Sequence, residues 1–127
     1  MLFAYLTLDE VNQELAGMLA DAAGVELDAT DFRDACPDRQ FDAVLYDLDY
    51  LPNDRREALL AALTAGRMAE PVAVHSYRLS VRQARALRQQ GVIVARRLGP
   101  KLFARLLAGR PRPRKTMVSQ TNDCPLS

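Results

Sequence analysis

The stretch Asp42-Ala43-Val44-Leu45-Tyr46-Asp47 is an apolar run between two acids. An uninterrupted apolar run of this length predicts a strand that is buried on both faces, as in a parallel sheet. Pro52 and Asn53 then break the chain, and residues 54–65 carry leucines at helical spacing before Gly66. The stretch therefore predicts a strand followed by a helix, with Asp47 at the carboxyl end of the strand.

The same strand–helix unit occurs five times along the chain. The predicted strands are residues 2–6, 25–29, 42–47, 72–76 and 92–95. The second helix, residues 31–36, is at most short because Pro37 follows it. This alternation predicts an α/β protein with three layers and a flavodoxin-like, doubly wound parallel sheet of strand order 2-1-3-4-5.

Two helices begin with the pattern of a capping box, in which a side chain at each end binds the other's backbone N–H. The pairs are Thr7 with Glu10 and Ser80 with Gln83. The apolar residues at helical spacing in the first helix are expected to face the sheet. They are Val11, Leu15, Met18 and Ala22.

Length and composition predict one globular domain, residues 1–109, and a basic, proline-containing tail, residues 110–127. The chain has 127 residues, of which 49% are hydrophobic and 26% are charged. No apolar run approaches the roughly 20 residues of a membrane-spanning helix. Cys36 and Cys124 stand alone, which argues against a zinc site or a disulfide framework. We expect a cytoplasmic protein without a membrane partner.

The charges are distributed unevenly along the chain. Residues 1–54 have a net charge of −11, from 13 acids and 2 bases, and residues 55–127 have +12, from 15 bases and 3 acids. Residues 71–109 contain eight bases and no acid. The bases predicted to bind a partner are Arg82, Arg85, Arg88, Arg97, Lys101 and Arg105.

Such a basic surface suits a protein partner with an acidic surface, and residues 81–108 are also a candidate homodimer interface. Nucleic acid suits it less well. Tyr77 and Phe103 are the aromatic residues near these bases, no helix-turn-helix pattern is apparent, and half of the domain is acidic.

Four motifs, in this order and spacing, resemble the receiver domain of bacterial two-component response regulators over residues 1–108. They are Asp42-x-Val44-Leu45-Tyr46-Asp47, Pro71-Val72-Ala73-Val74-His75-Ser76, Ala86-Leu87-x-x-x-Gly91 and Arg96. The resemblance implies phosphoryl transfer from a histidine kinase to one aspartate, with Mg²⁺, a hydroxyl and a cation assisting. Asp47 matches the phosphoacceptor, Ser76 matches the hydroxyl that moves in the family's switch, and Arg96 falls where the family has lysine.

The sequence departs from this family at several positions. The family ends its first strand with two adjacent acids, where this chain has Leu8-Asp9, or Asp9-Glu10 if the register slips by one. We expect Asp9, Asp47 and Asp49 to form at most a weak Mg²⁺ site, because Mg²⁺ needs near-octahedral oxygen ligands. Crowding of these carboxylates would leave stability unchanged or higher in Asp47→Asn. No other cofactor is implied.

Three functions are therefore compatible with the sequence. The favoured one is a stand-alone, degenerate receiver that acts as a phosphorylation-independent protein-interaction module in bacterial signalling and has no enzymatic activity. The first alternative is a working response regulator that a histidine kinase phosphorylates at Asp47. The second alternative is a nucleic-acid-associated regulator that uses the basic half of the chain.

Overall fold

The computed structural model of this protein describes residues 1–30, 41–66 and 71–108. The described strands are β1 (Leu2–Leu6), β2 (Glu26–Thr30), β3 (Ala43–Asp47), β4 (Val72–His75) and β5 (Ile93–Ala95). The described helices are α1 (Glu10–Ala23), α2 (Asn53–Thr64), α3 (Val81–Gln89) and α4 (Pro100–Ala108). Within the described ranges, no helix has the length and apolar character needed to cross a membrane.

The five strands form one parallel sheet in the order β2-β1-β3-β4-β5. This confirms the predicted fold class and strand order. β3 lies at the centre of the sheet, and every residue of it is buried. The short helix predicted at residues 31–36 and the tail predicted at residues 110–127 lie outside the described residues.

The sheet has an apolar core on each face. The core under α2 and α3 includes Leu60, Leu63 and Leu87, which pack on strand residues such as Val44 and Val74. The core under α1 and α4 contains residues of both helices and of the strands, among them Ala16, Ala20, Phe103, Phe3 and Tyr5. The two layers of helices explain why the strands read as uninterrupted apolar runs, since both faces of the sheet are covered.

One of the two predicted capping boxes is present. Ser80 and Gln83 bind each other's backbone N–H groups at the start of α3. The box predicted for Thr7 and Glu10 is wrong. Asp9 is the residue that caps α1, because its side chain accepts a hydrogen bond from the Asn12 N–H at 2.9 Å.

The predicted orientation of α1 is also wrong. Val11 is 71% exposed, Met18 is 68% exposed and Leu15 is 37% exposed, although their spacing is that of a buried face. The residues of α1 that are fully buried are Ala16 and Ala20. Alanine side chains allow the helix backbone to lie close to the sheet, whose inner surface on this side is already filled by Phe3, Tyr5 and Phe103.

Candidate functional site

The carboxyl ends of β1, β3 and β4 meet at the middle of one edge of the sheet. Thr7 follows β1, Asp47 ends β3, and His75 and Ser76 end and follow β4. All four side chains are buried. In parallel α/β sheets this edge is where ligands bind, so these polar residues form the candidate site.

The Asp47 carboxylate is enclosed by neutral hydrogen-bond donors. Its Oδ2 atom accepts a hydrogen bond from Thr7 Oγ1 at 2.7 Å and another from Asn12 Nδ2 at 2.8 Å. The residue is only 1% exposed. A buried carboxylate must be compensated by hydrogen bonds or by charge, and the donors that approach Oδ2 come from the β1–α1 region.

Thr7 also organises the start of α1. Its hydroxyl oxygen accepts a hydrogen bond from the Asp9 N–H at 3.0 Å while donating to Asp47. Asp9 in turn caps the helix through Asn12. Asn12 is therefore fixed on the side of α1 that faces Asp47. The Thr7 hydroxyl binds Asp47 and the Asp9 N–H, so it does not form the predicted capping box with Glu10.

His75 and Tyr5 lie next to Asp47 in the same buried region. The Tyr5 hydroxyl is 2.7 Å from His75 Nε2, and His75 Nδ1 is 4.0 Å from Asp47 Oδ1. Burial lowers the pKa of His75, although the charges of Asp47 and Asp49 act in the opposite direction. Burial and the Asp47 charge raise the pKa of Tyr5. Both side chains are therefore neutral near pH 7.

Asp49 forms a second set of contacts, separate from that of Asp47. Its Oδ1 atom accepts a hydrogen bond from Ser76 Oγ at 2.5 Å, and its Oδ2 atom accepts one from the Tyr77 N–H at 2.8 Å. Arg78 Nε is 3.4 Å from Oδ1. Burial by itself would raise the pKa of Asp49, but the hydrogen bonds from Ser76, Tyr77 and Arg78 outweigh burial, so the pKa is lowered.

Several solved structures share this architecture at low sequence identity. The chain is similar to a CheY-like response regulator from Mesorhizobium loti, with 17% identity, a TM-score of 0.57 and coverage of 84% of this chain and 95% of that chain. It is similar to a response regulator receiver protein from Burkholderia phymatum, with 17% identity and a TM-score of 0.59. The match covers 90% of this chain and 100% of that chain. The chain has the fold of a response-regulator receiver domain. No protein-family model matches the sequence, and no curated protein matches it.

A third similar structure bears on the metal site. It is the receiver domain of a sensor histidine kinase from Pseudomonas aeruginosa, with 18% identity and a TM-score of 0.58. The match covers 84% of this chain and 93% of that chain. That structure has a magnesium ion coordinated in the active site cleft. The ion belongs to that protein. Whether the present chain suits the same ion depends on its own side chains.

The acids at this edge of the sheet, in the part of the chain that the structure describes, have partners within the protein. Within residues 1–30, 41–66 and 71–108, no group of three or more His, Cys, Asp or Glu side chains is placed to hold a metal ion. Asp9 caps α1, Asp47 binds Thr7 and Asn12, and Asp49 binds Ser76. The two residues that follow β1 are Thr7 and Leu8, so neither is an acid. The weak Mg²⁺ site expected from Asp9, Asp47 and Asp49 stays a prediction.

Arg78 lies next to the site, and the role expected for Arg96 stays a prediction. Arg96 is exposed and forms no hydrogen bond with Asp47 or Asp49 in the described part of the chain. Arg78 contacts the Asp49 side chain and also donates from Nη2 to the Asp49 carbonyl oxygen at 3.1 Å. Sequence analysis missed Arg78 and Asn12 as site residues. The signal in the sequence for Arg78 was its position, because a residue two positions after Ser76 must lie at the same edge of the sheet.

The predicted partner-binding bases surround β5, the strand at the edge of the sheet. α3 packs on one face next to β5 and α4 packs on the other, and all six predicted bases are exposed. Arg105 also reaches the backbone of this strand, donating from Nη1 to the Val94 carbonyl at 3.4 Å. We name the surface formed by Arg82, Arg85, Arg88, Arg97, Lys101 and Arg105 the basic edge.

The contact between Thr7 and Asp47 is expected to stabilise the fold. Thr7→Val keeps the side-chain shape but removes the donor, so it should lower the free energy of unfolding by about 1.5–3 kcal/mol, the range for hydrogen bonds to charged groups. In an Asp47→Ala background the same change should cost much less. Urea unfolding of the four proteins of this double-mutant cycle measures the coupling. Effects that add within about 0.5 kcal/mol would contradict the proposed interaction.

Stability is expected to depend on pH through His75, the one histidine in the sequence. Because the folded state lowers the pKa of His75, the unfolded chain binds a proton below about pH 6.5 while the folded protein does not. The free energy of unfolding should therefore fall as the pH falls from about 7 to 5. His75→Gln should reduce this slope, and Tyr5→Phe, which retains the buried imidazole, should keep it. Urea unfolding across this pH range tests both, and an unchanged slope in His75→Gln would assign the dependence to other groups.

Proposed function

We propose that this protein is a receiver-fold interaction module that works without phosphorylation of Asp47. The observation that carries the proposal is the enclosed Asp47 carboxylate, which is 1% exposed and bound by Thr7 and Asn12. The module acts by docking to other proteins and has no enzymatic activity.

Phosphorylation of a carboxylate needs an oxygen that is free to attack and cations that neutralise the phosphoryl oxygens. Here Oδ2 accepts two hydrogen bonds, and Oδ1 faces His75, which burial keeps neutral. A phosphoryl donor would have to displace Thr7 or Asn12 before it reached Oδ2. The contacts of Asp47 therefore favour a structural role over a nucleophilic role.

Ser76, the residue at the switch position, binds Asp49 and not Asp47. In the resembled family the hydroxyl at the position of Ser76 moves toward the phosphoryl group. In this chain Ser76 Oγ donates to Asp49 Oδ1 and accepts the Arg78 N–H at 3.0 Å. Movement toward Asp47 would break both contacts, so these hydrogen bonds support a site that does not switch.

The basic edge supplies a surface for docking. Its six side chains are exposed, and residues 71–108 contain eight bases and no acid. Arginine forms bidentate contacts with carboxylates and is enriched at binding hot spots. A protein partner with an acidic surface is therefore the partner that this surface favours.

The phosphorylation-independent function predicts that the wild-type protein is labelled poorly. Acetyl phosphate with Mg²⁺, followed by intact mass spectrometry, should give little or no added phosphoryl mass. The variant Thr7→Asp with Leu8→Asp, which places two acids after β1, should be labelled more extensively if the missing acids limit the reaction, and Asp47→Asn in that variant should abolish the labelling. Rapid labelling of the wild type that Asp47→Asn removes would overturn the proposal in favour of a phosphorylated response regulator.

The docking function predicts that charge reversal on the basic edge removes partner binding. Arg82→Glu with Arg85→Glu should lose the proteins that the immobilised wild type captures from its source cells, while Asp47→Asn should retain them. The matched control is Ala58→Glu with Ala61→Glu, which adds two glutamates at the same spacing on exposed positions of α2. Quantitative mass spectrometry compares the four proteins. Undiminished capture by the reversed variant would exclude the basic edge, and loss of capture after nuclease treatment would favour the nucleic-acid alternative.

A further inference from the structure

The two ends of the sheet carry opposite charge. Residues 1–30, which form β1, α1 and β2, contain six acids and no base. Residues 71–108, which form β4, α3, β5 and α4, contain eight bases and no acid. Because the strand order is β2-β1-β3-β4-β5, the first segment lies at one side of β3 and the second lies at the other. The uneven charge of the sequence thus becomes a separation of charge in space.

The acidic side carries an apolar stripe that no described part of the chain covers. Val11, Leu15 and Met18 are 71%, 37% and 68% exposed, and their spacing places them along the outside of α1. Leu8, which precedes the helix, is 47% exposed. Glu10, Glu14 and Asp21 are the charged residues of α1, and all three are exposed. We name these four apolar and three acidic residues together the acidic face.

The shape of this region also suits docking. A groove of about 820 Å³ lies between α1 and β2, next to the stripe. Glu14, Met18, Asp21 and Leu27 are among the residues that line it. With 14 residues, α1 is about 21 Å long, which gives the face the extent of a protein–protein contact. An apolar surface flanked by acids favours a partner surface with apolar residues flanked by bases.

The same chain has such a surface on α3, which packs on the opposite face of the sheet from α1. The basic edge has exposed arginines on α3, and Tyr77 and Val81 beside them are 68% and 76% exposed. A symmetrical dimer through the basic edge would place arginines opposite arginines, and one through the acidic face would place acids opposite acids. Either arrangement is repulsive. Contact between the acidic face of one copy and the basic edge of another joins opposite charges.

We propose that this protein associates with itself head to tail, with the acidic face of each copy bound to the basic edge of the next. The inference rests on the proposed function, because it names a second copy of the chain as the acidic partner of the basic edge. Such a contact is heterologous, so a bound pair leaves one acidic face and one basic edge open for further association. The product is a ring of three or more copies if the rotation between neighbours closes, and an open chain if it does not.

Sedimentation velocity of the purified protein tests this directly. The weight-average mass should rise with concentration beyond twice the monomer mass at low salt, which a closed dimer cannot do. It should return to the monomer mass at about 1 M salt, where the Debye length falls to about 3 Å. A monomer at every concentration in low salt, or a mass that stops at the dimer, would overturn the proposal.

Variants on each side then assign the two surfaces. Arg82→Glu with Arg85→Glu and, separately, Glu14→Lys with Asp21→Lys should each reduce the mass to that of the monomer. Val11→Gln with Met18→Gln should weaken association by about tenfold without a change of charge, because it removes apolar surface from the contact. Ala58→Glu with Ala61→Glu on α2 is the control and should associate like the wild type. Association that survives the changes on α1 would exclude the acidic face.

A mixture of the two charge-reversed variants provides the decisive measurement. The arginine variant retains a native acidic face, and the acid variant retains a native basic edge, so the two should bind each other although neither binds itself. Circular dichroism confirms that both are folded. Two folded variants that remain monomeric when mixed would contradict a head-to-tail contact.

Failure of the self-association proposal can be distinguished from failure of the proposed function. Phosphoryl labelling of Asp47 tests the site and does not depend on self-association. If the wild type is monomeric and Arg82→Glu with Arg85→Glu still loses captured proteins, a different acidic partner uses the basic edge and only the self-association is wrong. If the wild type associates and Asp47 is also labelled rapidly, only the phosphorylation-independent function is wrong.

Discussion

The burial of one carboxylate at the centre of the sheet constrains the rest of this structure. Asp47 ends the central strand and is almost inaccessible, so its oxygens need partners from within the protein. Thr7 and Asn12 supply hydrogen bonds to Oδ2, and both belong to the β1–α1 region. To bring Asn12 to Asp47, α1 must turn the side with Ala16 and Ala20 toward the sheet. Its most apolar stripe is consequently left in contact with solvent.

The receiver fold and the receiver chemistry depend on different residues, so the fold by itself does not establish the chemistry. The fold follows from apolar strands that are covered by helices on both faces. The chemistry would need an accessible carboxylate, further acids for a metal ion, and a mobile hydroxyl. Here neutral donors bind Asp47, while Ser76 and Arg78 bind Asp49. The site is thus connected by internal hydrogen bonds that stabilise one arrangement of its side chains.

The strand order gives the charge pattern its physical meaning. Acids are concentrated early in the sequence and bases late, and a doubly wound sheet starts in the middle, extends to one side with β2 and then to the other with β4 and β5. The acids of residues 1–30 therefore lie on one side of β3, and the bases of residues 71–108 lie on the other. Exposed like charges that are gathered in this way repel one another, and a complementary surface on another molecule relieves that repulsion.

The sequence by itself determined the strand order, the capping box of Ser80 and Gln83, and the position of Asp47 at the end of a buried strand. These features depend on contiguous runs of residues and on neighbours within a few positions. Only the tertiary structure decided that Asn12 and Thr7 bind Asp47, that Arg78 binds Asp49, and that Ala16 and Ala20 form the buried side of α1. The hydrogen bonds to Asp47 join residues 35 and 40 positions apart. Hydrophobic spacing favoured Val11, Leu15 and Met18 as the buried side, because spacing considers only which residues are apolar. The orientation of the helix was set instead by the buried Asp47 carboxylate, which needed a hydrogen-bond donor from Asn12.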